Sequence, residues 1–428
     1  MVRGKAIGLL AVVLAAGLAG TACSAQMSEA RRQLEQHYQH LRSTYDQSDL
    51  SFYRPPADQE LLPATEARRP RNVILLIGDG MGHNHIALAR HRTVGSDGRL
   101  HMERMPVLGQ VRTRSANRAV TDSSAAATAL ACGIETDNDR IGMAPDGTAF
   151  TTILQKAREN GFRTGLVATS SITHATPAAF ASHVTGRDMQ TEIAVQFLSN
   201  GVDVLLGGGC RYWLCGPEGV RPDGRNLVEE ARAKGYLVID RRKQLADLDE
   251  IPVLGLSADD GMTTFLPEPA LDEMTRVAID LLSARSRKNG SAAKMRFFMM
   301  IEGSQIDWAA HVNDAEYMVR QTLLFDLAVK EALQFAQSDE QTLVLVVADH
   351  ETGGLALGVE DNRPVAVWTS DDHTAADVPL YAFGPGAAHF SGTYHLTEVP
   401  RILARVLGFE GFPAPRRLVR AAEPVATY

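Results

Sequence analysis

The chain has 428 residues, with 45% hydrophobic and 22% charged side chains, 36 Gly and 4 Cys. These are the proportions of a globular protein, and they exclude a disordered chain, a collagen-like repeat and a disulfide framework. With 43 basic against 51 acidic residues the net charge is −8, which argues against nucleic acid as a partner, because a phosphate backbone wants a basic face.

The N-terminus reads as an export signal. Arg3 and Lys5 precede an uncharged run, Ala6 to Gly20, and the small residues Thr21 to Ala25 follow. A basic start, an apolar stretch and a small-residue exit describe a secretory signal peptide over residues 1–25. The run is shorter than the roughly 20 apolar residues that span a bilayer. Cys23 leaves two outcomes open, plain cleavage or lipid attachment, although Gly20 stands where a lipoprotein signal usually has Leu. The expected location is therefore the periplasm or, as a lipoprotein, the outer membrane or cell surface, with membrane contact only through that lipid. Export also puts the cysteines in an oxidising compartment. Cys210 and Cys215 can close a small disulfide loop there, with Cys132 left as a buried hydrophobe.

Residues 26–70 read as a helical arm and linker. Leu34, Tyr38, Leu41 and Tyr45 form one narrow stripe, and Pro55, Pro56, Pro63 and Pro70 follow. From residue 71 to about 410, apolar runs alternate with helical patterns. Val73–Ile77, Thr164–Ala168, Val202–Leu206, Leu237–Ile239, Phe297–Ile301, Leu343–Ala348 and Leu380–Phe383 are apolar on both faces, as buried parallel strands are. Thr152–Asn160, Leu227–Lys234, Leu271–Ala284, Asp314–Phe335 and Thr397–Leu407 supply the helices. The predicted fold is one doubly wound α/β domain with a mostly parallel central sheet and helices on both faces. Residues 411–428 are left as a C-terminal tail.

Ligands of such sheets gather at the carboxyl ends of the strands, and polar residues concentrate there. Asp79 lies among glycines (GDGMG, 78–82) after the first strand, and Glu302 follows Phe297–Ile301. Asp307 and His311, at i and i+4, share one helix face and can grip one metal. Asp349 and His350 follow Leu343–Ala348, and His373 precedes the last strand. Mixed Asp and His donors suit zinc, and all-oxygen sets suit magnesium. Ser123 opens an Ala-rich helix (VTDSSAAATA, 120–129), where the macrodipole favours an anion and a hydroxyl losing its proton. Asp122 or Ser123 can equally serve as the cap of that helix.

Six stretches, NVILLIGDGMG (72–82), VTDSSAAATA (120–129), THATPAAFASHVTGR (173–187), IEGSQIDWAAH (301–311), ADHETGG (348–354) and HTAADVPLYAFGPG (373–386), occur in an order that closely resembles the alkaline phosphatase family. The resemblance implies an enzyme that hydrolyses small phosphate monoesters through a phosphoserine at the nucleophile Ser123 and releases inorganic phosphate. By the same likeness Asp307, His311 and His373 would hold one zinc, and Asp79, Asp349 and His350 a second. Asp79, Thr176 and Glu302 would hold magnesium, and Arg187 would clamp two phosphate oxygens. A homodimer is also implied. His174 stands where some members have Asp, which opens the third site to zinc or cobalt, and Trp308 stands where some have Lys or His. With only 23 positions from His350 to His373, a crown-like insertion should be small or absent.

A phosphodiesterase of the same superfamily would resemble this chain in its two-zinc ligands but would typically use a Thr nucleophile and lack the third site and the clamping Arg. A non-catalytic phosphate-binding lipoprotein would leave Ser123 unexplained. His83 and His85 match no ligand position and read as solvent-facing, as do His101, His183, His389 and His395.

Overall fold

The structure, a computed structural model, describes residues 41–57, 61, 69–284 and 295–418. The signal segment, Cys23, Leu34 and Tyr38 lie outside the described residues. The chain divides into two units between Gln47 and Ser48. In the first, residues 41–44 are helical, and the Tyr45 N–H donates to the Leu41 carbonyl at 3.0 Å.

The second unit is built on a ten-stranded sheet. In chain order its strands are β1 (Asn72–Gly78), β2 (Val107–Arg112), β3 (Arg163–Ser171), β4 (Val204–Gly208), β5 (Leu237–Ile239), β6 (Val253–Leu256), β7 (Phe297–Gly303) and β8 (Thr342–Ala348). The short pieces β9 (Glu351–Thr352), β10 (Ala356–Glu360), β11 (Arg363–Val367) and β12 (His373–Thr374) lie outside the sheet, and β13 (Val378–Phe383) and β14 (Gly392–His395) complete it. Across the sheet the order is β14-β2-β13-β8-β1-β7-β3-β4-β6-β5. Every pairing is parallel except the two that β13 makes, with β2 and β8. The expected doubly wound, mostly parallel sheet is therefore present, with one reversed strand.

The central strands β1, β7 and β8 are buried along their whole length. Fully burying each Val, Leu, Ile, Phe or Met in them contributes about 1.5–3 kcal/mol, so the apolar runs hold the sheet centre. Helices α1 (His83–Thr93), α2 (Ser123–Cys132), α3 (Ile153–Glu159), α4 (Ala175–Ala181), α5 (Gln190–Asn200), α6 (Leu227–Ala233), α7 (Leu271–Ser283), α8 (Gln305–His311), α9 (Ala315–Asp339) and α10 (Glu398–Leu407) surround it. The long α9 packs on β1, β7 and β8 with α1 and α7 beside it, and α2, α3, α4 and α10 form a second group. Asp314 caps α9 by accepting from the Tyr317 N–H at 3.1 Å.

Two readings change. The segment after Ser48, read as linker, is fastened to α9. Arg320 donates to the Asp49 carbonyl at 3.0 Å and stacks on Phe52 and Phe265, and the Tyr53 hydroxyl donates to buried Asp326 at 2.7 Å. Residues read as the start of the tail pair with the body, since Thr151 donates to the Ala414 carbonyl and Arg416 to that of Ala149. Between His350 and His373, where a crown-like insertion was expected to be small or absent, lies the short hairpin β10–β11, turned by Asp361 and Asn362, both at positive φ. Among the described residues no helix is long and apolar enough to cross a membrane.

Candidate active site

The sheet register brings the polar strand ends level. Gly78 of β1 pairs with Gly303 of β7 on one side and Ala348 of β8 on the other, and Glu302 pairs with Ala168 of β3. Asp79 and Asp349 therefore leave adjacent strands at the same edge. Gly80, at φ +70°, lies in the tight turn after β1, where its N–H donates to Asp349 Oδ1 at 3.1 Å. A Cβ there would lie 2.7 Å from Thr352 Oγ1 and 2.8 Å from the Asp307 Cα, so the position excludes any side chain. His373 comes before its strand, not after it. Because β13 is antiparallel to β8, its amino end reaches the edge where the other strands finish, and His373 arrives with it.

Two donor clusters form at this edge. Asp307, His311 and His373 converge, with Asp307 Oδ1 3.4 Å from the Nε2 of each histidine. Asp79, Asp349 and His350 converge beside them, with His350 Nε2 3.5 Å from Asp79 and 3.4 Å from Asp349. The rings of His350 and His373 stack at 3.6 Å. Both imidazoles of the first cluster are aimed by backbone carbonyls: His311 Nδ1 is 2.8 Å from the Asp371 oxygen and His373 Nδ1 2.9 Å from that of Thr121. Such outer contacts fix the ring tautomer, so that in the neutral imidazole Nε2 is the lone pair.

Among the described residues, several buried polar atoms have no hydrogen-bond partner: both oxygens of Asp79, Asp349 Oδ2, Glu302 Oε1, Thr176 Oγ1 and His174 Nδ1. Unpaired buried carboxylates are costly, and the electrostatics register that cost. Burial, then neighbouring Asp349, pushes the Asp79 carboxyl well above its usual range, and burial lifts Asp349 to about 7 and raises Glu302. Burial would also raise Asp307, but His311, His373 and His350 together hold it well below the ordinary value. For His373 burial acts downward, yet Asp307 lifts it to about 9. A divalent cation would satisfy the orphaned oxygens, and the residues present fit one.

Asp122 takes the cap of α2, its Oδ1 accepting from the Ala125 N–H at 2.9 Å, so the Ser123 hydroxyl is not used as the cap. Ser123 Oγ lies 3.3 Å from His350 Nε2. Arg187, on the loop after α4, is held from two sides. Nη1 is 3.5 Å from Asp122 Oδ2 and Nη2 is 3.2 Å from His174 Nε2. Burial, then the Arg187 charge, drops His174 to about 3, so it is a neutral imidazole. Its ring meets Trp308 edge to face at 5.9 Å. Thr176 sits on α4, and Glu302 Oε2 accepts from the Ser170 hydroxyl at 3.3 Å.

The structure thus brings the sequence-predicted residues to one sheet edge and corrects others. His85 is fully buried, accepting from the Gly82 N–H and packed on Trp368, and burial lowers it to about 4. His101 and His183 are buried too, bonded to the carbonyls of Arg54 and Phe150. His395 is partly covered and faces Thr397, while His83 and His389 are exposed as expected. Cys210 and Cys215 are separate thiols, not a disulfide. Sequence reasoning missed Thr352, whose hydroxyl lies between the two clusters. Its signal was the extended spacing from His350, since i and i+2 share one face of a strand.

The model of the alkaline phosphatase family matches residues 70–366. Alkaline phosphatase 4 of Bacillus subtilis (strain 168) is 33% identical, over 79% of this chain and 88% of its own. Among solved structures, the alkaline phosphatase of the Antarctic bacterium TAB5 has a TM-score of 0.72 and 34% identity, covering 80% of this chain and 99% of its own. A histidine-to-glutamate variant of that enzyme, with Mg bound in its M3 site, has a TM-score of 0.69 and 34% identity, covering 81% of this chain and 99% of its own. The family match spans Asp79, Asp307, His311, Asp349 and His350 and ends before His373. The chain belongs to the alkaline phosphatase family, a phosphatase that hydrolyses phosphate monoesters with divalent metal cofactors.

Proposed function

We propose that Ser123 is the nucleophile and is phosphorylated during turnover. The reading rests on one observation above all. A serine hydroxyl at the first turn of α2, released from capping by Asp122, lies 3.3 Å from His350 Nε2 in the buried donor cluster. The free N–H groups and macrodipole of the helix start favour the developing anion there. Arg187 is oriented by Asp122 and His174, and its planar fork suits two oxygens of one phosphoryl group in a way Lys cannot reproduce.

Zinc at Asp307, His311 and His373 and at Asp79, Asp349 and His350 fits the mixed donors. The orphaned Thr176, Glu302 and Asp79 oxygens suit a third ion, magnesium by donor type, with His174 beside it. Bound there, the ions would lower the proton affinity of the Ser123 hydroxyl and of water and neutralise charge on the oxygens of an in-line displacement. We further propose that residues 1–25 direct export and that the protein works as a homodimer.

The test compares wild type with Ser123→Ala on p-nitrophenyl phosphate and its bis ester, with mass spectrometry of acid-quenched protein. Wild type should turn over the monoester and carry phosphate on Ser123. The variant should lose at least roughly 10³-fold in kcat, as removal of a nucleophile does. Undiminished monoester turnover by the variant, or a preference of wild type for the bis ester, would overturn the reading.

A further inference from the structure

The three candidate histidine ligands are oriented in two ways. His311 and His373 each turn Nδ1 to a backbone carbonyl, which no substitution removes. His350 turns Nδ1 to a side chain, the Thr352 hydroxyl, at 3.2 Å. The same hydroxyl lies 2.5 Å from Asp307 Oδ1. Thr352 is fully buried, and its N–H donates to the Gly80 carbonyl at 3.1 Å. Its neighbour across the β9–β12 pair is His373.

A hydroxyl has one proton to give and can accept in return. The short contact has the length of an O–H···O⁻ bond to a carboxylate, typically 2.5–2.7 Å, so the proton goes to Asp307. The longer contact is then one in which Thr352 accepts, and His350 must carry its proton on Nδ1. That leaves His350 Nε2 as a lone pair, facing Asp79, Asp349 and Ser123.

We propose that Thr352 is a positioning residue shared by both donor clusters, its single hydroxyl fixing the Asp307 carboxylate of one and the His350 tautomer of the other. The proposal rests on the two clusters being the metal sites of the proposed function. It gives the two sites a common support, so the loss of one hydroxyl weakens both.

Zinc dissociation constants measured by chelator competition on metal-stripped protein test this, using wild type, Thr352→Val and Thr352→Ser. Val keeps the β-branched shape that fits over Gly80 and removes only the hydroxyl, whereas Ser keeps the hydroxyl. Thr352→Val should weaken both zinc sites by roughly 10–100-fold, the range seen when outer-shell partners of a ligand are removed. Thr352→Ser should stay within a few-fold of wild type. Should Thr352→Val fail to fold, Thr352→Ala carries the same comparison. Unchanged affinities in Thr352→Val, weakening confined to one site, or equal losses in Val and Ser would each overturn the proposal. A wild-type protein that binds fewer than two zinc ions would instead overturn the site assignment, and the proposal with it.

Discussion

The two donor clusters lie side by side yet solve the problem of buried charge in opposite ways. In the first, side-chain exposure is 7% for Asp307, 22% for His311 and 10% for His373, and one carboxylate faces two imidazoles. Protons can stand in for a cation there, which is why Asp307 is held low and His373 is lifted. In the second, Asp79, Asp349 and His350 are all 0% exposed, and two carboxylates face one imidazole. Its carboxyls are pushed up and His350 is driven down, by burial first and then by the nearby His373. The first cluster is balanced without a metal. The second is not, and its orphaned oxygens are what the divalent ion proposed for this cluster would satisfy.

The sharpest way to break that contrast is to remove one donor from each cluster. Asp79→Asn should cost zinc affinity at the buried cluster by more than roughly 100-fold, beyond the range that outer-shell partners carry. It should nevertheless raise the Tm of the metal-stripped protein, because the amide removes an uncompensated buried carboxylate. A rise of a few degrees is expected, with 1 kcal/mol moving Tm by roughly 2–4 °C in domains of 150–250 residues. His311→Ala should also weaken zinc binding but leave the stripped Tm equal or lower, since Asp307 loses a partner. Calorimetry of both stripped variants decides the matter, and equal falls in Tm would refute the contrast.

Acidity probes the same difference with a smaller effect. His373 has a folded pKa of about 9, above its unfolded value near 6.5. Its contribution to the metal-stripped fold is complete below 6.5 and is lost as pH rises through 9. Asp79, raised by burial, changes in the same direction, while the loss from Asp349 is complete by about 7. Between pH 7 and 9 the stripped protein should therefore lose up to roughly 1.4 kcal/mol per pH unit from His373. Zinc at the site proposed to include His373 would compete with that proton and so bind more tightly over the same interval. Denaturant unfolding at pH 7, 8 and 9, with and without zinc, should show a widening gap. A constant gap would mean that His373 carries no competing proton.

Much of this site could be read before any coordinates. The runs of β1, β7 and β8 are apolar on both faces, and the residues that follow them are the donors the sheet edge collects. What escaped reading has physical causes. An apolar run carries no sign of its direction, so the reversal of β13, and with it the route by which His373 reaches the site, could not be seen. The strand β2 alternates in exposure and the edge strand β14 is only four residues long, so neither stands out as an apolar run. A lone histidine looks alike in water and in the core, and His85, His101 and His183 proved buried, each with one ring nitrogen bonded to a backbone group. Thr352 was concealed by its chemistry, since a threonine in an extended stretch is ordinary until its hydroxyl is seen between Asp307 and His350.

The smallest expected effect concerns a third place, next to both clusters. Thr176 Oγ1 and Glu302 Oε1 have no hydrogen-bond partner among the described residues, and His174 is a neutral imidazole, where a carboxylate would favour a harder cation. The change His174→Asp adds a carboxylate to those of Glu302 and Asp79 and removes the imidazole contact to Arg187 at 3.2 Å. Magnesium should then activate the variant more strongly than wild type, by roughly the few-fold to tenfold that about 1 kcal/mol of differential binding supplies. Since Arg187 keeps Asp122 as its other support, KM for p-nitrophenyl phosphate should change less than the magnesium requirement. Titrating magnesium against activity in zinc-loaded wild type and variant separates the two terms, and identical magnesium curves would show that His174 does not govern the third ion.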